Sequence, residues 1–166
     1  TGWLGSAAAG LRMLREKMEL EESAAGYLRQ AFTRPEPRLE EGRLLLEKGV
    51  RTGIDISDGL VADLGHLCQA SKVGAVLSVE HLPIRPEVEA AFGSEAVEMA
   101  LSGGEDYQLL FTAPPEVFQE VRRAASYPVT AIGDIIAEEA GQVTLVNEEG
   151  KRIKPTRTGW DHFRSR

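Results

Sequence analysis

The chain is short of the residues that build several familiar kinds of site. Cys68 is its only cysteine, which excludes an internal disulfide and a cysteine-based zinc site and fits a reducing, cytoplasmic setting. The three histidines, His66, His81 and His162, lack metal-site spacing. No Gly-x4-Gly-Lys-Ser/Thr phosphate loop and no Gly-x-Gly-x-x-Gly turn occurs, so any handling of nucleotide phosphates would fall to acids and magnesium. The Gly-x-Ser-x-Gly nucleophile elbow is missing as well. No apolar run approaches the roughly 20 residues of a membrane span, and no basic–apolar–small leader pattern is recognisable. Positive charge is in deficit, with a net charge of −7. That argues against a general nucleic-acid or membrane-surface binder. A phosphate ligand stays open, because magnesium can offset acid against acid locally.

What is present suits one soluble globular domain. The chain has 166 residues, of which 42% are apolar and 27% charged, enough for a substantial core. It opens on Thr1-Gly2-Trp3-Leu4-Gly5 without a methionine, which reads as the interior of a longer protein, and the expectation is an excised domain. Leu4 to Met18 is rich in helix formers, with Leu11, Leu14 and Met18 at helical spacing. The small run Ser6 to Gly10 would let another backbone approach closely. Ser23 can cap a second helix that buries Tyr27, Leu28 and Ala31. Pro35 and Pro37 force an extended path; Arg34 and Arg38 beside them either meet an anion or, as the simpler reading, are solvated loop charges. Leu39 to Lys48 predicts a third helix that Gly49 stops.

The organising stretch is Gly53 to His66. Thr52 to Ile56 predicts a strand, and Ser57 to Ser71 a helix with Leu60, Val61, Leu64, Leu67 and Cys68 on one face. Asp63 and His66 fall on the other side, and His66 is given no catalytic role. Asp55 and Asp58 stand at the junction with Ser57 and Gly59. Two readings are open. Ser57 or Asp58 can simply cap the helix with a side-chain oxygen, or the acids can hold a hard cation beside a phosphate.

Farther on, Val73 to Val79 predicts a strand, and Arg85–Phe92 and Ser94–Leu101 predict short helices. Ser102-Gly103-Gly104-Glu105-Asp106-Tyr107 then leads into the apolar run Leu109 to Phe111. This is either a capping turn with two solvent-facing acids or a loop held close to a ligand, where glycines let the backbone approach. Pro114-Pro115 opens a helix to about Ser126. Val129–Ile136 and Val143–Val146, with turn signals at Gly141 and Gly150, suggest a small antiparallel meander. In the tail, Trp160 and Phe163 among basic residues would anchor it or offer a flat ring to a ligand. The mixture predicts one α/β (α+β) layered domain with a mixed β-sheet and flanking helices.

The ordered set of motifs is more specific than any one of them. Thr1-Gly2-x-Leu4-Gly5 with Ala8-Ala9-Gly10-Leu11, Pro35-x-Pro37-Arg38, Asp55-Ile56-Ser57-Asp58-Gly59-Leu60 with Asp63, Leu64 and His66, Gly103-Gly104-Glu105-Asp106-Tyr107, and Gly159-Trp160-x-His162-Phe163 occur in this order. The series resembles the C-terminal half of the thiamine-monophosphate kinase family, within the aminoimidazole-ribonucleotide synthetase superfamily. One departure is Ser6-Ala7, where that family usually has Asp-Ser.

The resemblance implies a fold like the C-terminal domain of aminoimidazole-ribonucleotide synthetase. It implies phosphoryl transfer from ATP to thiamine monophosphate with magnesium, in the cytoplasm, by a protein that is a homodimer when full length. Residues 1–166 would be a single domain, and an N-terminal ATP- and magnesium-binding domain would be its partner. Asp55 and Asp58 match magnesium ligands and Ser57 a nucleotide contact. Glu105 and Trp160 match contacts to the thiamine substrate. Two alternatives remain: another ATP-dependent reaction of the superfamily, of the selenophosphate or purine-pathway type, or a non-catalytic binding module.

Overall fold

A computed structural model describes residues 1–153. Trp160 and the rest of the basic tail lie outside the described residues. In chain order the elements are α1 (Ser6–Glu16), α2 (Glu22–Thr33), α3 (Leu39–Glu47), β1 (Thr52–Asp55), α4 (Leu60–Ser71), β2 (Gly74–Ser78), α5 (Pro86–Phe92), α6 (Glu95–Ser102), β3 (Leu109–Thr112), α7 (Pro115–Ala124), β4 (Gly133–Ile136), β5 (Val143–Val146) and β6 (Arg152–Ile153), with a 3-10 turn at Val79–His81. Among the described residues no helix is long and apolar enough to cross a membrane.

The strands form two sheets. β1 and β3 pair antiparallel, Asp55 opposite Leu109 and Thr52 opposite Thr112. The other sheet runs in the order β4-β2-β5-β6. Here the expected C-terminal meander is corrected. β5 lies parallel to β2, β4 lies antiparallel on β2's other edge, and of the three C-terminal strands only β5 and β6 pair with each other, antiparallel. Gly74, Ala75 and Leu77 of β2 are buried, so this strand gains most from a partner on both sides, and the C-terminal strands divide between its two edges.

The first helix turns differently from the predicted row. Leu11 and Leu14 are both 38% exposed, while Ser6, Ala7, Ala9, Gly10 and Met13 face inward. The small residues win because α2 crosses at Gly10, where a Cβ would lie 2.1 Å from the Leu28 carbonyl oxygen. The expectation of close backbone approach holds at this position. α2 is capped by the Glu21 side chain, which accepts from the Ser23 N–H (3.2 Å), rather than by Ser23 itself. Arg38 is no solvated loop charge: its Nε donates to Gln108 Oε1 (3.0 Å) and its Nη1 pairs with Glu41 (3.3 Å).

The main core joins α1, α2, α4, α5 and α6 to β2 and β5 through Leu28, Leu60, Leu64, Leu77, Val88 and Leu145 among others. Each fully buried leucine stabilises the fold by roughly 1.5–3 kcal/mol. A smaller cluster, Leu45, Val50, Val121 and Val129, seats α3 against α7. Together these fix β1 and α4 beside the end of α6, and so position the loop between β1 and α4 against the loop that follows α6.

Candidate functional site

The two loops that the sequence marked as acidic are joined by their backbones. Past the end of the β1–β3 ladder, the Ile56 N–H donates to the Gln108 carbonyl (2.9 Å), the Tyr107 N–H to the Ile56 carbonyl (2.8 Å) and the Glu105 N–H to the Ser57 carbonyl (2.9 Å). Gly104 is required for this approach. A Cβ there would stand 2.5 Å from the Ser57 carbonyl oxygen, a separation that real Cβ atoms do not tolerate. Glu105 and Tyr107 both take left-handed backbone, at φ 71° and 48°, a conformation that is uncommon for residues with a side chain and is kept only where the surroundings enforce it.

What enforces it lies between them. Asp106 is buried, and its carboxylate accepts from the N–H groups of Gly5 (2.6 Å) and Ala7 (3.0 Å) at the start of α1. Gly5 offers that helix no side-chain cap, so an acid from the far end of the chain takes the role, where the helix dipole favours negative charge. Burial dominates its titration. The carboxyl is pushed up to about 7, against the opposing pull of the backbone donors.

The other loop has its own buried anchor. α4 starts after Gly59 with no side-chain cap of its own, so neither Ser57 nor Asp58 serves as the simple cap that the spacing allowed. Instead Asp63, on the helix, reaches back. Its Oδ2 accepts from both the Ser57 and the Asp58 N–H (3.0 Å each). Asp63 is only 2% exposed, which corrects the expectation that it falls on the outer side with His66. Burial raises its carboxyl above the usual range, while the Asp58 and Ser57 N–H groups pull the other way. His66 does lie outside, with its ring 3.8 Å from Asp63 Oδ1 and its side chain 63% exposed.

With both loops anchored, Asp55 and Glu105 are exposed, and Ser57, Asp58 and Tyr107 are half-buried. Tyr107 reports that the acids share one field. Its hydroxyl donates to Glu105 Oε2 (3.2 Å), and its pKa is raised by the charge of Glu105, then by burial, and also by Asp55 and Asp58. The structure therefore brings Asp55, Asp58 and Glu105 to one corner with Ser57 between them; Trp160 is not among the described residues. Asp63, Asp106, Tyr107 and Gln108 also build this corner, although none was expected to contact a ligand, and Asp106 is buried where the capping-turn reading had it facing solvent. Only Asp63, in the first turn of α4 and five residues after Asp58, left a local signal.

Chemically the corner is an open cluster of hard oxygen donors. Among the described residues no group of three or more His, Cys, Asp or Glu could enclose a metal ion. Two carboxylates nonetheless fit magnesium, which keeps several waters and takes its remaining ligands from substrate phosphates. The acids line neither of the larger hollows. A groove of about 920 Å³ between α1 and α6 ends beside the corner at Ser102 and Gly103, and an apolar cleft of about 500 Å³ lies on the other side of β3.

This fold, with paired acidic loops on an open edge, defines a class. Residues 2–146 match the family described as AIR synthase related protein, C-terminal domain, and the chain belongs to that family. Within it, similar proteins include thiamine-monophosphate kinases. The thiamine-monophosphate kinase of Haemophilus influenzae is 36% identical over 168 residues, covering 97% of this chain and 50% of that protein. A crystal structure of the thiamine-monophosphate kinase from Stenotrophomonas maltophilia superposes with a TM-score of 0.79 at 31% identity, over 92% of this chain and 49% of that one. AaThiL complexed with AMPPCP and TMP gives a TM-score of 0.80 at 36% identity, over 98% and 50%. The chain spans about half the length of the curated relatives it matches.

Proposed function

We propose that this chain is the C-terminal half of a two-domain, ATP-dependent kinase that converts thiamine monophosphate to thiamine diphosphate. One observation carries the reading. The two loops expected to face the substrates, which carry Asp55, Asp58 and Glu105, are held together by their own backbones in a fold that superposes on a complex with AMPPCP and TMP.

Phosphoryl transfer needs positioning and charge neutralisation more than a covalent helper, and no nucleophile is required of this chain. Asp55 and Asp58 hold Mg2+, which supplies neutralisation of the phosphate charge when bound. Ser57, half-buried between them, contacts the nucleotide. Glu105 faces the thiamine substrate and is steadied by the Tyr107 hydroxyl; Trp160 contributes the aromatic contact. The N-terminal half supplies the remaining ligands for ATP and magnesium. The full-length protein works as a cytoplasmic homodimer.

The test is turnover of thiamine monophosphate with ATP and magnesium by the full-length protein, by its Asp58→Asn variant and by this chain alone. The full-length protein should form thiamine diphosphate, the variant should need more magnesium and turn over at least about 10-fold more slowly, and the chain alone should be inactive. A full-length protein without this activity, or robust activity of the isolated chain, overturns the reading.

A further inference from the structure

We propose that the apolar cleft between β3 and β4 is the seat of one more β-strand, contributed by the polypeptide that leads into Thr1. The proposal rests on the two-domain reading for the existence of that polypeptide. Its evidence is the direction of the backbone on the two walls.

On β3, the Gln108 carbonyl accepts from the Ile56 N–H. In an antiparallel ladder the residues that face the partner alternate. With the observed register, Gln108, Leu110 and Thr112 turn their polar groups toward β1, and Leu109 and Phe111 turn theirs away. The outward groups of Leu109 already behave as part of a ladder. Its carbonyl accepts from the Thr1 nitrogen (2.7 Å), and its N–H donates to Thr1 Oγ1 (2.9 Å). Among the described residues no strand lies on that side of β3 to continue the pairing at Phe111.

The opposite wall has the same form. The Ser78 N–H donates to the Ile132 carbonyl (2.9 Å), so Gly133 and Ile135 turn their polar groups away from β2. β4 is the edge of its sheet, and Ile135 is 42% exposed. Leu109–Ala113 and residues 130–135 border one cleft of about 500 Å³, with Ile56, Leu64, Ala75 and Leu77 also lining it and Thr1 at its wall. Two unpaired strand edges facing each other across an apolar space are a template for strand addition.

Roughly five residues at about 3.3 Å each would run from beside Thr1 past Phe111 to Ala113. Paired on both edges, they would join the two sheets into one. A strand buried in this way is rich in Val, Ile and Leu, which is the composition expected of the occupant.

Amide hydrogen exchange on this chain and on the full-length protein tests the proposal. The Phe111 and Ile135 amides should exchange fast in the chain and at least about 100-fold more slowly in the full-length protein. Leu110 and Asp134, which pair with β1 and β2, should be protected in both. Equal exchange of Phe111 and Ile135 in the two proteins overturns the proposal. Protection that grows with concentration of the short chain and is absent from the longer protein gives the cleft to a second copy, and overturns it as well. Should the short chain fail to fold, nuclear Overhauser contacts in the full-length protein decide: contacts from Phe111 and Ile135 to one shared upstream strand support the proposal, and their absence overturns it. Kinase activity is a separate readout. Protected amides without activity keep the strand and lose the kinase, and activity with unprotected amides does the reverse.

Discussion

Asp63 and Asp106 do the same work at different reach. Each is a buried carboxylate that accepts two backbone N–H groups beside a helix that lacks its own side-chain cap. Asp63 bonds to residues five and six positions before it. Asp106 bonds to residues 99 and 101 positions before it. The near one closes a loop that its own helix could organise early in folding, because short loops cost little entropy. The distant one ties the first turn of the chain to the glycine loop, and it exists only when α1, α6 and β3 are already together. The acid corner therefore has a locally coded half and a globally coded half.

The largest effect should come from the distant carboxylate. Asp106→Ala leaves the Gly5 and Ala7 N–H groups buried without an acceptor and should destabilise this chain by about 2–4 kcal/mol, read by urea denaturation. The same group gives the comparison a pH signature. Its folded pKa of about 7 lies above the ordinary 3.8, so the folded state holds the proton more tightly. The stabilisation is full below about pH 4 and is lost as pH rises toward 7. Denaturation midpoints measured from pH 4 to pH 8 should fall across that window, and Asp106→Asn should flatten the slope. A wild-type chain whose midpoint rises steadily through the window would show that this carboxyl folds ionised.

Asp63→Ala should cost less, about 1–2 kcal/mol, because the freed Ser57 and Asp58 N–H groups are only part-buried and water can replace the acid. A loss equal to that of Asp106→Ala would break the distinction between near and distant anchors. The smallest effect is expected at Arg152, whose guanidinium pairs with Glu139 at 2.7 Å but is 67% exposed. Arg152→Ala should shift stability by less than about 1 kcal/mol. That control separates burial from charge as the source of the two larger effects.

The local half of the design was legible in the chain. The strand at Thr52 and the apolar face Leu60, Val61, Leu64 and Cys68 follow from residue periodicity and stand in the structure. Asp55, Asp58 and Glu105 stand near glycines at element ends, and backbone hydrogen bonds join the two segments that carry them. What was not legible depends on partners far along the chain. Leu11 and Leu14 form an apolar row, yet α1 turns its small residues inward because α2 needs the room at Gly10. β5 reads as a meander strand, yet it pairs parallel to β2 because β2 offers two buried edges.

Sequence alone determined where the acids, glycines and helix starts lie, because side-chain chemistry and backbone permissiveness belong to single residues and their neighbours. Only the tertiary structure decided that Asp106 looks inward to α1 while Glu105 stays outside, since that choice depends on donors about a hundred residues away. It also decided that two strand edges face one another across an apolar cleft. Pairing is a property of what lies beside a strand, and no residue carries that information by itself.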